Sequence, residues 1–139
     1  MSEVEYYTVD TIAILAYLAD KMPPKVDAIF SRAESEKACL IAPSIAIGEA
    51  LFALLKGRDV FGIPVPSEKL MLFLDTIEVS RSIVLADLDV KGWRMVMDLN
   101  LPELHDRMIV ATHITHRSEA ILTNDEEIAA LKGVKTIWR

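Results

Sequence analysis

Five short apolar runs punctuate the chain: Tyr6–Val9, Cys39–Ala42, Ile83–Ala86, Ala120–Thr123 and Val134–Trp138. Each is too short for a buried helix, is rich in β-branched or aromatic residues, and is bounded by turn formers or charges, so each reads as a strand. The stretches between them place apolar side chains at helical spacing. Strands alternating with helices imply a parallel sheet, because parallel neighbours need a crossover connection long enough to hold a helix. Cys39–Ala42 is apolar throughout rather than alternating, as expected of a parallel strand covered on both faces. The expected fold class is therefore α/β, three layers around a central, mostly parallel twisted sheet.

The connecting segments have legible punctuation. A helix is expected over Thr11–Ala19, stopped by Pro23-Pro24, and a second, amphipathic one over Lys25–Lys37 with Val26, Ile29, Phe30 and Ala33 on one face. Ser44 is the natural N-cap of a helix running to Leu55, with Gly57 as its C-terminal signal. Residues 58–66, with Gly62, Pro64 and Pro66, form a loop. A short helix over Ser67–Leu74 and a weak strand at Ile77–Val79 follow. Asp87 is expected to cap a helix through Asp98 whose inward side chains are Val90, Trp93, Val96 and Met97. After a break at Asn100–Glu103, Leu104–Arg117 forms a helix and Glu126–Leu131 a shorter one that Gly133 ends.

At 139 residues without repeats, low-complexity tracts or a linker, residues 1–139 read as a single domain. No apolar run approaches the ~18 residues that cross a bilayer, and the acidic Met1-Ser-Glu-Val-Glu5 opening lacks the basic flank of a signal peptide. A single cysteine, Cys39, excludes an internal disulfide, fits a reducing cytoplasm, and reads as a small buried filler. The net charge of −6 argues against coating nucleic acid by bulk electrostatics. It leaves room for a nucleic-acid enzyme, since bound divalent ions invert the local field where a phosphate approaches.

Four carboxylates stand where folding alone explains them poorly or only in part. Asp10 is the only charge between Tyr6 and Ala19 and falls at the carboxyl end of the first strand. Helix N-capping accounts for it as well as a ligand role does. Glu49 is the only charge from Ile45 to Leu55, well inside an apolar helix; a carboxylate there needs a basic partner, a solvent-facing edge or a metal. Asp106 in the first turn of its helix and Asp125 after the fourth strand are each explained, singly, by capping and the helix dipole. Together they carry more weight. In an open parallel sheet, ligands bind beyond the carboxyl ends of the strands, near the point where strand order reverses, and all four acids are expected at that rim. Converging acids repel unless cations neutralise them, and hard oxygen ligands suit Mg²⁺ or Mn²⁺. His113 and His116, three residues apart, lack the further His or Cys ligands of a zinc site, with Cys39 and His105 at no standard spacing, and read as structural or surface residues. A phosphoryl-acceptor role for Asp10 would call for an adjacent acid pair and a well-placed Lys, and neither motif is present.

The order strand-Asp10-Thr11, Ser44-x-x-x-x-Glu49, Asp106-Arg107-x-Ile109-x-Ala111 and Leu122-Thr123-x-Asp125 resembles the PIN-domain nucleases, and within them the VapC-type toxins of toxin–antitoxin pairs. The match spans about Tyr7 to Trp138; where many relatives carry His after the Asp-Thr pair, this chain has Ile12. The resemblance implies a PIN-like fold and a metal-dependent endoribonuclease. In it Asp10, Glu49, Asp106 and Asp125 serve as catalytic, metal-holding residues for Mg²⁺ or Mn²⁺ and activate water against RNA phosphodiester bonds. Thr11, Ser44, Thr123 and Asn124, with Thr8, become candidate hydrogen-bonding supports, and Arg107, with Arg58 and His105, candidate contacts to substrate. The implied partners are RNA, a cognate antitoxin and a second copy in a homodimer, with no membrane. The rival reading is a catalytically weak PIN-fold binding module acting through protein–protein contacts around Met71, Phe73 and Trp93, residues that core packing would equally explain.

Overall fold

The computed structural model describes residues 4–139; of the acidic opening, Met1, Ser2 and Glu3 lie outside them. Five strands form one sheet: β1 (Glu5–Val9), β2 (Ala38–Pro43), β3 (Ile83–Ala86), β4 (Ala120–Leu122) and β5 (Thr136–Ile137). Their spatial order is β3-β2-β1-β4-β5, with every pairing parallel. The strands expected from the five apolar runs are all present, the last trimmed to two residues. β2 is buried at all six positions, and β4 at all three, so both faces of the central strands are covered. β3 is an edge strand and leaves Val84 and Leu85 exposed.

Among the described residues seven helices fill the connections: α1 (Thr11–Leu18), α2 (Pro24–Glu34), α3 (Ser44–Leu55), α4 (Glu68–Val79), α5 (Val90–Asp98), α6 (Leu104–Thr115) and α7 (Glu126–Ala129). The core joins Ile14 of α1, Leu40 of β2, Leu70 of α4, Ile109 of α6, Ile121 of β4 and Ile128 of α7, each essentially inaccessible to solvent. No helix among the described residues is long and apolar enough to cross a membrane.

The structure corrects several local expectations. Ile77–Val79 is the end of α4 and not a strand. Leu70 and Phe73 are buried and Ile77 is half-buried, a stripe at i, i+3 and i+7 that outweighs the β preference of Thr76, Ile77 and Val79. Ser44 does not cap α3: Pro43 holds the N-cap position, Ser44 is the first helical residue, and its hydroxyl donates to Asp87. Asp87 in turn does not cap α5; that is Asp89, whose Oδ1 accepts from the Gly92 N–H at 2.8 Å.

The register of α5 is also different from the expected one. Two apolar stripes compete on this helix, and the buried one carries Gly92 and Val96, while Val90, Trp93 and Met97 are 68%, 45% and 78% exposed. Finally, α6 stops at Thr115, because Arg117 takes a left-handed conformation (φ 53°) and the Ser118 N–H closes back on His113 O at 3.1 Å.

Strand order reverses between β1 and β4, the two strands that leave the centre in opposite directions. Asp10 follows β1 directly and Thr123 follows β4 directly, and the Asp10 N–H donates to Leu122 O at 3.2 Å. The crevice where such sheets bind ligands therefore opens at Asp10.

Candidate active site

Asp10 is both a helix cap and a site residue. Only 7% exposed, it sits at the N-cap of α1 with extended backbone, and its Oδ1 accepts the Thr11 N–H at 2.6 Å. Oδ2 accepts the Thr123 hydroxyl at 2.5 Å, and Thr123 Oγ1 itself accepts the Asp125 N–H at 3.0 Å. Thr123 thus fastens the end of β1 to the start of the turn after β4. Asp125 caps α7, its Oδ1 accepting from the Ile128 N–H at 2.9 Å.

Glu49 lies one and a half turns into α3 and is half-buried. Its Oε1 accepts the Thr11 hydroxyl at 2.9 Å and its Oε2 pairs with His105 Nδ1 at 2.7 Å. His105 is the sole basic side chain ion-paired to any of these acids among the described residues. It sits one residue before Asp106, which α6 presents in its first turn.

Asp106 is the electrostatic focus. Burial, followed by the charges of Asp125, Asp10, Glu49 and Glu103, pushes its pKa up to about 7. Burial likewise raises Asp10, reinforced by Glu49 and Asp125 and opposed by the hydrogen bonds from Thr123 and Thr11. These mutual influences bring together the four acids expected from the sequence. No donor among the described residues is hydrogen-bonded to the Asp106 carboxylate.

Hard cations take oxygen donors, and four neighbouring carboxylates, of which Asp10 and Asp106 have raised pKa values, are such a donor set. As they stand, no group of three or more His, Cys, Asp or Glu among the described residues is arranged to hold a metal ion. Both Asp10 oxygens and both Glu49 oxygens already have partners, and Asp125 spends one oxygen on its cap. Only Asp106 is uncommitted. By chemistry the oxygen donors suit a divalent ion, and Asp106 and the second oxygen of Asp125 are the groups free of hydrogen-bond partners among the described residues.

The supporting residues divide. Thr11 and Thr123 touch Glu49 and Asp10, as expected. Ser44 points to Asp87, and Thr8 is bonded to Ser118 Oγ at 2.8 Å in a buried trio with His113 Nδ1, so neither supports the acids. Asn124 is exposed. Arg107 braces the α5–α6 connection: Nε donates to Leu101 O at 2.6 Å and Nη1 to Val96 O at 3.2 Å. Arg58 stacks over Phe52. His113 is buried and His116 exposed, so the pair shares no site. The pairing of His105 with Glu49 was not read from the sequence; the only signal for it was a histidine beside Asp106.

Replacing Thr123 with Val, close to isosteric, is expected to lower stability by about 1–3 kcal/mol, because it strips partners from a buried acceptor and an N–H together. It is also expected to raise the Asp10 pKa further, since the Thr123 bond lowers it. Denaturant unfolding and a carboxyl-carbon NMR titration measure the two effects.

Solved structures share this architecture. The chain is similar to VapBC2 from Rickettsia felis bound to a promoter DNA fragment, at 16% identity over 96% of this chain and 99% of that one, with a TM-score of 0.68. It is similar to Mycobacterium tuberculosis VapC20, a sarcin-ricin loop cleaving toxin, at 14% identity over 96% and 99%, with a TM-score of 0.61. A toxin–antitoxin complex from Klebsiella pneumoniae matches at 14% identity over 92% and 94%, with a TM-score of 0.63. No protein-family model matches the chain, and no curated protein does. At such identities the likeness is one of fold, and the PIN-like α/β fold implied by the motifs is the one this chain adopts.

Proposed function

We propose that this chain is a PIN-domain endoribonuclease of the VapC toxin type, hydrolysing RNA phosphodiester bonds with Mg²⁺ or Mn²⁺ held by Asp10, Glu49, Asp106 and Asp125. The observation that carries this reading is the set of contacts at the switch point of the sheet, where Asp10 bonds Thr123 and Glu49 bonds both Thr11 and His105, the neighbour of Asp106. The fold shared with an RNA-cleaving toxin supports it.

When bound, the cation supplies Lewis acidity, acidifying water and screening the charge on a phosphate. The chain's own residues set the stage. Thr11 and Thr123 hold Asp10 in one rotamer, so that its charge is fixed in place before substrate arrives. Asp106, with no protein donor to satisfy it, is the acid most available to a ligand. It gives up its proton near neutral pH, so cation affinity rises with pH through that range. Without a cation the rim repels a polyanion.

Cleavage of RNA is therefore expected to stop in excess chelator and to return with Mn²⁺ or Mg²⁺, read on a denaturing gel. Undiminished cleavage in chelator would contradict the reading.

The proposed setting is a cytoplasmic toxin neutralised by a cognate antitoxin, as the VapBC2 and Klebsiella assemblies suggest. Support comes from an apolar groove between α3 and α4 lined by Ile47, Leu51, Leu55, Met71, Leu72 and Leu74, with a volume of about 550 Å³. Of the three residues considered for partner contact, Phe73 is core, while Met71 and Trp93 lie at the surface, 60% and 45% exposed. A chain that acted only by binding would keep this groove and show no metal-dependent cleavage.

A further inference from the structure

The carboxyl ends of β2 and β3 open onto a cavity of about 240 Å³ that the four acids do not use. Pro43 and Ala86, the last residues of those strands, line it together with Met108 of α6 and Trp93 of α5. β2 neighbours β1, which ends at Asp10, and adjacent strands stand about 4.8 Å apart. The cavity therefore shares a rim with the acids, within reach of a base that flanks the bond they would cut. Its volume falls below the roughly 300–1,000 Å³ of pockets for drug-sized ligands and suits a single planar ring system.

The polar side chains that line it are few and mostly committed. The Ser44 hydroxyl donates to Asp87 Oδ1, and the Thr112 hydroxyl donates to Met108 O at 2.8 Å. Oδ2 of Asp87 is left without a partner among the described residues, and Oδ1 keeps a lone pair to spare. Ser44 is the first residue of α3, so it holds the carboxylate at a helix end that favours negative charge. The first turn of α3 has no side-chain cap, which leaves N–H donors beside the same cavity. Trp93 stands outside the core cluster and is 45% exposed, an aromatic surface that packing does not consume.

We propose that this cavity is a base-reading subsite, in which one nucleobase of the RNA stacks on Trp93 and Asp87 selects guanine. That the occupant belongs to RNA rests on the ribonuclease reading, whereas the choice of guanine rests on the cavity's own groups. A carboxylate only accepts hydrogen bonds. Guanine alone among the four bases presents two adjacent donors, N1–H and the N2 amino group, a fork that meets two carboxylate oxygens much as a guanidinium does. Adenine and cytosine each set a ring-nitrogen acceptor beside their amino group, and uracil flanks its one N–H with two carbonyls. Each of these would press an acceptor against a carboxylate oxygen and leave both unpaired. Guanine O6, next to N1, is the acceptor that the N–H groups of α3 can serve. Single-stranded RNA offers this edge, because its unstacked bases splay onto aromatic side chains.

The test is titration of the full chain in Mg²⁺ with GMP, AMP, CMP, UMP and IMP, followed by NMR of the tryptophan indole N–H signals. The phosphate is common to all, so differences report the base. GMP is expected to shift the Trp93 signal, identified by its loss in Trp93→Ala, and to bind about ten- to a hundredfold more tightly than AMP, CMP or UMP. IMP lacks the N2 amino group and is expected to bind about tenfold more weakly than GMP. Asp87→Asn keeps an oxygen for Ser44 and replaces the other with an NH₂ group; it is expected to abolish the preference with an unchanged circular dichroism spectrum. Equal affinities across the nucleotides, no shift of Trp93 at millimolar GMP, or an Asp87→Asn variant as selective as the wild type overturns the proposal. Cleavage of oligoribonucleotides that differ at a single guanine separates the two readings. GMP selectivity in a chain that cuts no RNA supports the subsite and removes the nuclease, while cleavage indifferent to guanine overturns the subsite alone.

Discussion

Asp10→Asn is expected to reduce metal-dependent RNA cleavage by about a hundred- to a thousandfold, the scale on which a removed electrostatic element of a hydrolytic site acts, while the protein stays folded. The side chain keeps its shape, and one amide oxygen still accepts the hydrogen bond from Thr11 N–H or from the Thr123 hydroxyl. One of those two partners then faces an NH₂ group, at a stability cost of about 1 kcal/mol. That loss is offset by the removal of a carboxylate whose burial already raises its pKa. A fold-preserving change with a large loss of rate separates the two readings that the sequence left even: a pure N-cap survives the amide, whereas a metal-holding charge does not. Gel-based cleavage rates beside circular dichroism spectra make the comparison, and a variant with wild-type rate assigns Asp10 to capping alone.

Asp106→Asn is expected to move stability in the opposite direction from activity. An acid whose pKa is raised on folding holds its proton more tightly in the folded chain than in the unfolded one. For Asp106 the resulting penalty is absent below the ordinary value of 3.8 and complete above about pH 7. Stability therefore falls as pH rises through that window. The variant removes this slope. After discounting for partial exposure and salt, the gain at pH 8 is about 1–2 kcal/mol, or a melting temperature higher by about 5 °C. Near pH 4 the two proteins should melt together. Adding Mn²⁺ at pH 8 should stabilise the wild type and leave the variant unmoved, because the cation relieves the same repulsion. Melting curves across pH measure all of this, and a variant no more stable than the wild type at pH 8 would mean that Asp106 is an ordinary solvated carboxylate. A residue that lowers stability where it stands while serving activity is characteristic of a functional site.

What could be read from residues alone follows from how local the governing physics is. The strands announced themselves because burial on both faces makes β2 and β4 continuously apolar, a pattern no neighbour can disguise. The position of the acids followed from the rule for parallel sheets once the strands were placed. Helix ends were harder. Gly57 marked one left-handed terminus correctly, but Asp20, Glu36 and Arg117 take the same conformation without glycine, so α2 and α6 end earlier than expected. On α5 two stripes have equal periodicity, and tertiary packing buries the one with Gly92 and Val96. The site was legible in its acids and less so in their partners. Thr11 and Thr123 neighbour the motif residues in sequence, while His105 reaches Glu49 across 56 residues of chain (105 − 49), a contact that tertiary structure alone creates. Arg107 and Ser44, which sit inside motif segments, are committed to Leu101 and Asp87 instead.

The central claim is that the four carboxylates share a divalent cation. Anomalous scattering from crystals soaked in Mn²⁺ at pH 8, where Asp106 is ionised, tests it most directly. A manganese peak is expected among Asp10, Glu49, Asp106 and Asp125, lost in Asp106→Asn. A soaked crystal with no peak at that rim, or with manganese bound only elsewhere, would contradict it.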